Sequence, residues 1–165
     1  YVDGDSMTLA KAALNVFERI DCSERKLISK IFFDKWKNNS IVLDSWFSYN
    51  ASIEIDKKPK NIENLFNNEH FDLKSPNTLR AILNAYVTKN RFFHSIDGSG
   101  YKYIAKKIIE FDKLNPIIIS RFLKIFGRYK NYAEPYRNKM YIVLKYIKKK
   151  KLSTNTREVI DSIID

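Results

Sequence analysis

Apolar residues recur at helical spacing through nearly the whole chain, and short polar breaks divide them into segments. Residues 7–17 carry the first such stripe, with Asp5 or Ser6 available to cap it. Ser23, ahead of Glu24, precedes a second stripe of Leu27, Ile28, Ile31, Phe32 and Trp36, which Asn38-Asn39-Ser40 breaks. A third carries Ile41, Val42, Leu43, Trp46, Phe47 and Tyr49. Asp56 lies ahead of Pro59 and a shorter helix through Ile62, Leu65 and Phe66. Leu79, Ile82, Leu83 and Tyr86 form the inward face of the next. A helix runs from Tyr101 to about Asp112, and Ile117, Ile118, Phe122 and Ile125 supply the apolar face after it. Met140, Ile142, Val143, Leu144 and Ile147 line a long helix, and Val159, Ile160, Ile163 and Ile164 end the last. No segment sustains a period-2 alternation bounded by turn signals, so the pattern predicts an all-α chain.

The starts of these helices keep time. Pro59, Pro76, Pro116 and Pro135 each open one, because proline suits a first turn whose N–H has no partner. Further starts fall near Ser99 and Thr154, so beginnings near residues 59, 76, 99, 116, 135 and 154 recur every 17 to 23 residues. Two such helices make a unit of roughly 40 residues, the period of HEAT and armadillo repeats. Antiparallel pairs joined by short connections at a fixed interval stack as an α-solenoid, a right-handed superhelix. Residues 1–165 are read as one such helical-repeat domain.

Composition agrees with a folded, helix-rich chain. Of 165 residues 44% are hydrophobic and 14% aromatic, which argues against disorder. Four glycines and four prolines leave little loop material and no linker. No apolar run approaches the roughly 20 residues that span a bilayer, so no membrane partner is expected. The opening Tyr1-Val2-Asp3-Gly4-Asp5 has neither an initiator Met nor a signal-peptide pattern, which suggests a fragment of a longer protein. One cysteine, Cys22, excludes an internal disulfide and favours a reducing, cytoplasmic compartment. Thirty Lys and Arg against nineteen Asp and Glu give a net charge of +11. The longest basic run, Lys148 to Lys151, ends a helix, where cations meet the negative end of the dipole. The other lysines are scattered among Asn and Ile, which weighs against a nucleic-acid partner.

Motifs that carry chemistry are missing. The two histidines, His70 and His94, are 24 residues apart, and no HExxH, GxSxG, GxxxxGK(S/T) or GxGxxG occurs. Asp97-Gly98-Ser99-Gly100 lacks the alternating acids and closing glutamate of a calcium loop, so no metal site is expected. His94, beside two phenylalanines, reads as a hydrogen-bonded packing residue rather than a base, and a Cys22–His70 nucleophile pair would need a coincidence of fold. Trp36 and Trp46 suit a repeat core better than a base-stacking platform. Within Gly98-Ser99-Gly100 two glycines permit unusual backbone angles, and Asp97 or Ser99 can cap the helix that follows. Arg80 and Arg121 lie 41 residues apart, one repeat unit, each in the opening turns of its helix. Their guanidinium groups suit carboxylate or carbonyl oxygens in a groove, or equally the C-terminal carbonyls of neighbouring helices.

Several stretches in order resemble the C-terminal part of the bacterial-type aminopeptidase N (alanyl aminopeptidase) family. Residues 93–101 resemble its FHxxDGSGY segment, residues 75–80 its NPNRxRSL, and residues 114–121 its LNPQVASR. Trp36 with residues 42–47 is similar to W…LVxDKWF, and Ser6-Met7-Thr8 with Ala12-Ala13-Leu14 to NMTDRxxAL. Ser75, Thr78, Ser45 and the isoleucines 117–119 depart from these patterns while leaving both arginines in place.

The resemblance implies that the longer protein is a zinc aminopeptidase removing N-terminal residues from peptides. Metal-activated water would attack the first peptide carbonyl with help from a glutamate. The zinc would sit in a catalytic domain of the same chain carrying HExxH, a distant glutamate and a GAMEN-type segment, none of which is here. This fragment would bind no cofactor and have no catalytic residue of its own. It would close over that domain as an armadillo/HEAT-like wall of the substrate chamber. Arg80 and Arg121 would bind the peptide substrate beyond the scissile bond, and residues 97–101 would form a structural turn capping a helix. The rival reading is an independent basic solenoid adaptor for nucleic acid or an acidic protein.

Overall fold

Residues 6–18, 20–53 and 59–165 are described by the computed structural model, Lys60 by its backbone alone. The readings placed on residues 1–5, including Asp5 as a cap, and on Asp56 lie outside these. Among the described residues there are nine α-helices and no strand, so the all-α expectation holds. They are α1 (Met7–Val16), α2 (Ser23–Trp36), α3 (Ser40–Ser52), α4 (Lys60–Phe66), α5 (Pro76–Lys89), α6 (Ser99–Phe111), α7 (Pro116–Leu123), α8 (Tyr136–Lys148) and α9 (Thr154–Ile164). Single-turn 3-10 segments occupy Arg91–His94, Lys124–Phe126 and Tyr129–Asn131. The chain divides into two compact units, Tyr1–Asn90 and Arg91–Asp165.

Local chemistry accounts for most helix starts. Side chains of Ser6, Asn39, Ser75 and Ser153 accept backbone N–H bonds at the heads of α1, α3, α5 and α9, satisfying donors that have no partner within the helix. Pro76 and Pro116 occupy the first turns of α5 and α7, whereas Pro59 and Pro135 sit one place earlier, at the cap. The cap of α2 is Cys22, whose Sγ accepts the Arg25 N–H; Ser23 is already inside the helix.

In the first unit, Leu14, Phe32, Val42, Tyr49 and Ile53 form a buried cluster flanked by Ala10, Ile28, Trp36 and Trp46. The Trp46 indole N–H donates to Ser29 at 3.0 Å while its ring meets Phe33 and Phe47, so both tryptophans serve packing. Helix α3 packs most extensively on α5, burying Leu43 and Phe47 with Leu79, Ile82, Leu83 and Tyr86. The Asn90 amide closes this pair by donating to the carbonyls of Ala51 and Ile53.

In the second unit, Tyr101, Ile104, Ile108, Ile119, Leu123, Phe126, Leu144, Ile147 and Ile160 have no exposed surface. Helix α6 packs on α8, and α7 on α9.

Several apolar residues expected inward face solvent. Leu27, Ile41, Ile117 and Ile142 are exposed, and the buried line of α7 is Ile119, Phe122 and Leu123, continued by Phe126. A shift of one or two positions turns a side chain by about 100–200°, so an apolar run fixes a helix more firmly than it fixes its face.

Candidate functional site

Arg80 stands on the second turn of α5, and the start of that helix is anchored from two sides. Ser75 Oγ accepts the Thr78 N–H, and the Thr78 hydroxyl donates to Asp44 of α3 at 2.6 Å. With Leu79, Ile82 and Leu83 locked inward, Arg80 points to solvent on a polar stripe with Asn77, Asn84 and Thr88. Arg121 belongs to the second unit. Ile119, Phe122 and Leu123 bury the other face of α7, leaving Arg121 exposed one turn beyond the exposed Ile117.

No hydrogen bond or ion pair joins either guanidinium to a described residue. The alternative role, closing a helix C-terminus, belongs to Arg157. Its two terminal nitrogens donate to the carbonyls of Lys148 and Lys150 at the end of α8. Arg80 and Arg121 therefore keep their donors available, each in a fork that matches a carboxylate.

The residues 93–101 fold into a tight aromatic corner. His94 Nδ1 and the Tyr101 hydroxyl lie 2.7 Å apart, and the imidazole stacks on Tyr132 while Phe93 meets both rings edge-on. Burial holds the His94 imidazole below its ordinary pKa of 6.5. Burial, reinforced by Tyr132 and Tyr136, pushes the Tyr101 phenol up. His94 is thus a hydrogen-bonded packing residue.

Gly98 has φ +72°, in the left-handed region. A Cβ on Gly100 would meet the Phe93 carbonyl oxygen at 2.3 Å, so the corner closes only around glycine. The Asp97 carboxylate accepts the Ser99 N–H at 2.9 Å, which holds its pKa below the usual carboxylate range. It bonds at the head of α6 while Gly98 takes the cap position without a side-chain bond.

Three buried ionic groups, Arg25, Lys107 and Asp112, were not singled out from the sequence. Arg25 is 3% exposed and pairs with Asp21 at 2.8 Å. It lies in register with Phe32 and Trp36 on α2, so helical spacing could have found it. Asp112 is 1% exposed and accepts from the Ser153 N–H, the Ser153 hydroxyl at 2.7 Å and the Thr156 hydroxyl. Its partners lie 41 and 44 residues away, and no local spacing signals them.

Hollows among the described residues include three. One of about 290 Å³ is lined by Lys11, Asn15, Asp44, Ser48 and Lys89. Another of about 410 Å³ is lined by Arg25, Lys30, Trp46, Asn50, Asn64 and Asn68. The third, of about 270 Å³ between α6 and α8, is lined by Lys102, Ala105, Lys106, Ile142, Val143 and Tyr146. Neither Arg80 nor Arg121 lines any of the three. Cys22 caps α2, and His70 lies edge-on to Phe33 and 3.6 Å from Glu69. Among the described residues no three His, Cys, Asp or Glu side chains gather in a way that could hold a metal ion. No helix among them is long and apolar enough to cross a membrane.

Residues 1–165 match the family described as "Domain of unknown function (DUF3458_C) ARM repeats". Aminopeptidase N of Escherichia coli is 28% identical over 147 residues, covering 88% of this chain and 17% of that protein. Aminopeptidase N of Haemophilus influenzae is 27% identical over 133 residues, covering 80% of this chain and 15% of that protein. Among solved structures, Legionella pneumophila aminopeptidase A in complex with aspartic acid superposes with a TM-score of 0.85 at 29% identity. That match covers 97% of this chain and 19% of the other. The chain thus spans less than a fifth of the length of these relatives.

Proposed function

The chain belongs to the DUF3458_C family of ARM-repeat domains, and from that membership we propose that it is the C-terminal helical domain of a zinc-dependent aminopeptidase N. The α-solenoid class read from the helix spacing is the class this family's description names. The observation that carries the functional reading is a match along the whole chain to a small fraction of proteins named aminopeptidase. In this reading the domain closes over the catalytic domain of the longer protein, lines the chamber in which peptides lose their N-terminal residues, and works in the cytoplasm.

Among the described residues none gather as a zinc site, and in this reading the metal is held by the catalytic domain, where it would activate the attacking water. Arg80 and Arg121 hold the peptide beyond the scissile bond. Both are exposed, and neither has a bond to another described residue that would have to break when a carboxylate or carbonyl oxygen arrives. Confinement by the wall admits short flexible peptides and excludes folded proteins.

The test is kinetic and uses the full-length enzyme. Arg80→Ala and Arg121→Ala should each raise KM for tripeptides by about tenfold, the loss of one charge-assisted hydrogen bond. Single-residue reporters, which barely extend past the scissile bond, should change little. Equal losses on both substrates would mean that the arginines act on the fold. The isolated chain should hydrolyse no aminoacyl reporter, with or without added zinc.

A further inference from the structure

The positive charge is unevenly divided. Residues 91–165 carry 17 Lys and Arg against 7 Asp and Glu, a net +10. Residues 1–90 carry 13 against 12, a net +1. Within the basic unit lies the apolar groove between α6 and α8. Its floor is Ala105, Val143, Ile142 and Tyr146, and the last two are 62% and 44% exposed, more than a core contact would leave. Lys102 and Lys106, both exposed, stand one turn apart on α6 and line the groove. On α8, Lys145 lies over the Tyr141 ring at 4.4 Å and Lys148 pairs with Asp161 at 2.9 Å.

We infer that this groove is a docking surface for an acidic protein segment that presents an aliphatic anchor between carboxylates. An aliphatic side chain fills the apolar floor, and glutamates or aspartates one helical turn apart meet Lys102 and Lys106 along the α6 side. Charge complementarity of this kind steers encounter and sets register. The chemistry disfavours nucleic acid. Ile142 and Val143 offer nothing to a phosphate, and the ring of Tyr146 is covered by Lys150 at 4.5 Å instead of lying open for a base to stack. Neither Arg80 nor Arg121 lines the groove, and its docking role does not depend on the aminopeptidase reading.

A fluorescein-labelled helical peptide of Glu-Glu-Leu-Leu repeats, titrated with the full-length protein and read by anisotropy, tests this. It should bind, and affinity should fall about tenfold or more between low and high salt. Ile142→Glu should weaken binding by about tenfold, and Lys102→Glu with Lys106→Glu by a similar factor. These side chains are exposed, so circular dichroism and aminopeptidase activity should be unchanged in both variants. The inference fails if a Lys-Lys-Leu-Leu peptide binds as tightly, if either variant binds like the parent, or if no binding occurs. It also fails if a single-stranded oligonucleotide displaces the peptide, which would make the lysines a phosphate surface.

Discussion

At residue scale the corner ahead of α6 is the most constrained place in the second unit. Gly98 uses a positive φ that costs an L-residue about 1 kcal/mol, and an added Cβ there meets mainly the flexible Lys139 side chain. Gly100 is different: its Cβ would fall 2.3 Å and 2.5 Å from the backbone oxygens of Phe93 and Phe92, which cannot move without unwinding the 3-10 turn. Gly98→Ala should therefore cost about 1 kcal/mol and Gly100→Ala more than about 3 kcal/mol, measured by urea unfolding. The pair of glycines was legible in the sequence; which of them suffers a steric clash was not, because the clashing atoms belong to main chain.

The same corner sets a pH dependence. His94 is held below its ordinary 6.5, so the unfolded chain binds a proton there that the folded chain refuses. Stability is complete above about pH 6.5 and is lost as pH falls toward the folded value. Tyr101 works from the other side: its pKa is raised, the unfolded phenol ionises first, and stability is lost as pH climbs past about 10. Urea midpoints should form a plateau between those limits. His94→Gln should flatten the acid side only; an unchanged acid slope would move the titration to another group.

At element scale, the helix starts were the most readable feature, since proline and Ser-type caps act through local backbone geometry. Faces were less readable. Ile117 and Ile142 sit in apolar runs where neighbours compete for the core, and tertiary packing decides the winner. Least readable was Asp112. It sits at the C-terminal end of α6 and ties down the head of α9 through Ser153 and Thr156. Asp112→Ala would leave two hydroxyls and one backbone N–H without that acceptor in a buried place, so a loss of about 3 kcal/mol is expected. Asp112→Asn keeps one acceptor oxygen and should lose less. Hydrogen exchange would locate the damage: α9 amides should speed up first, and uniform acceleration across the second unit would contradict this local role.

At the scale of the whole molecule, sequence order alone displayed the repeat spacing and the family likeness, but the charge looked like a uniform habit of the chain. It became informative once contacts divided the chain at Asn90, because the net charge then fell almost wholly on one side. A net +10 on residues 91–165 makes that unit repel itself, and the repulsion acts over a Debye length of about 10 Å at 0.1 M salt. Exposed ion pairs oppose this trend, since salt weakens them too, but each contributes only up to about 1 kcal/mol. Within Arg91–Asp165 such pairs include the contacts of Lys148 with Asp161 and Asp165, while the Lys107 ammonium, itself buried, reaches the exposed Glu110. The excess cations, by contrast, are numerous and mostly exposed. Raising sodium chloride from about 0.05 to 0.5 M should therefore slow exchange in α6–α9 while leaving α1–α5, with its balanced charge, nearly unchanged. Hydrogen exchange reads both units in one sample, so each is the other's control. Equal protection of both would trace the effect to general salting-out of apolar surface; loss of protection in α6–α9 would show that ion pairs, not self-repulsion, govern the basic unit.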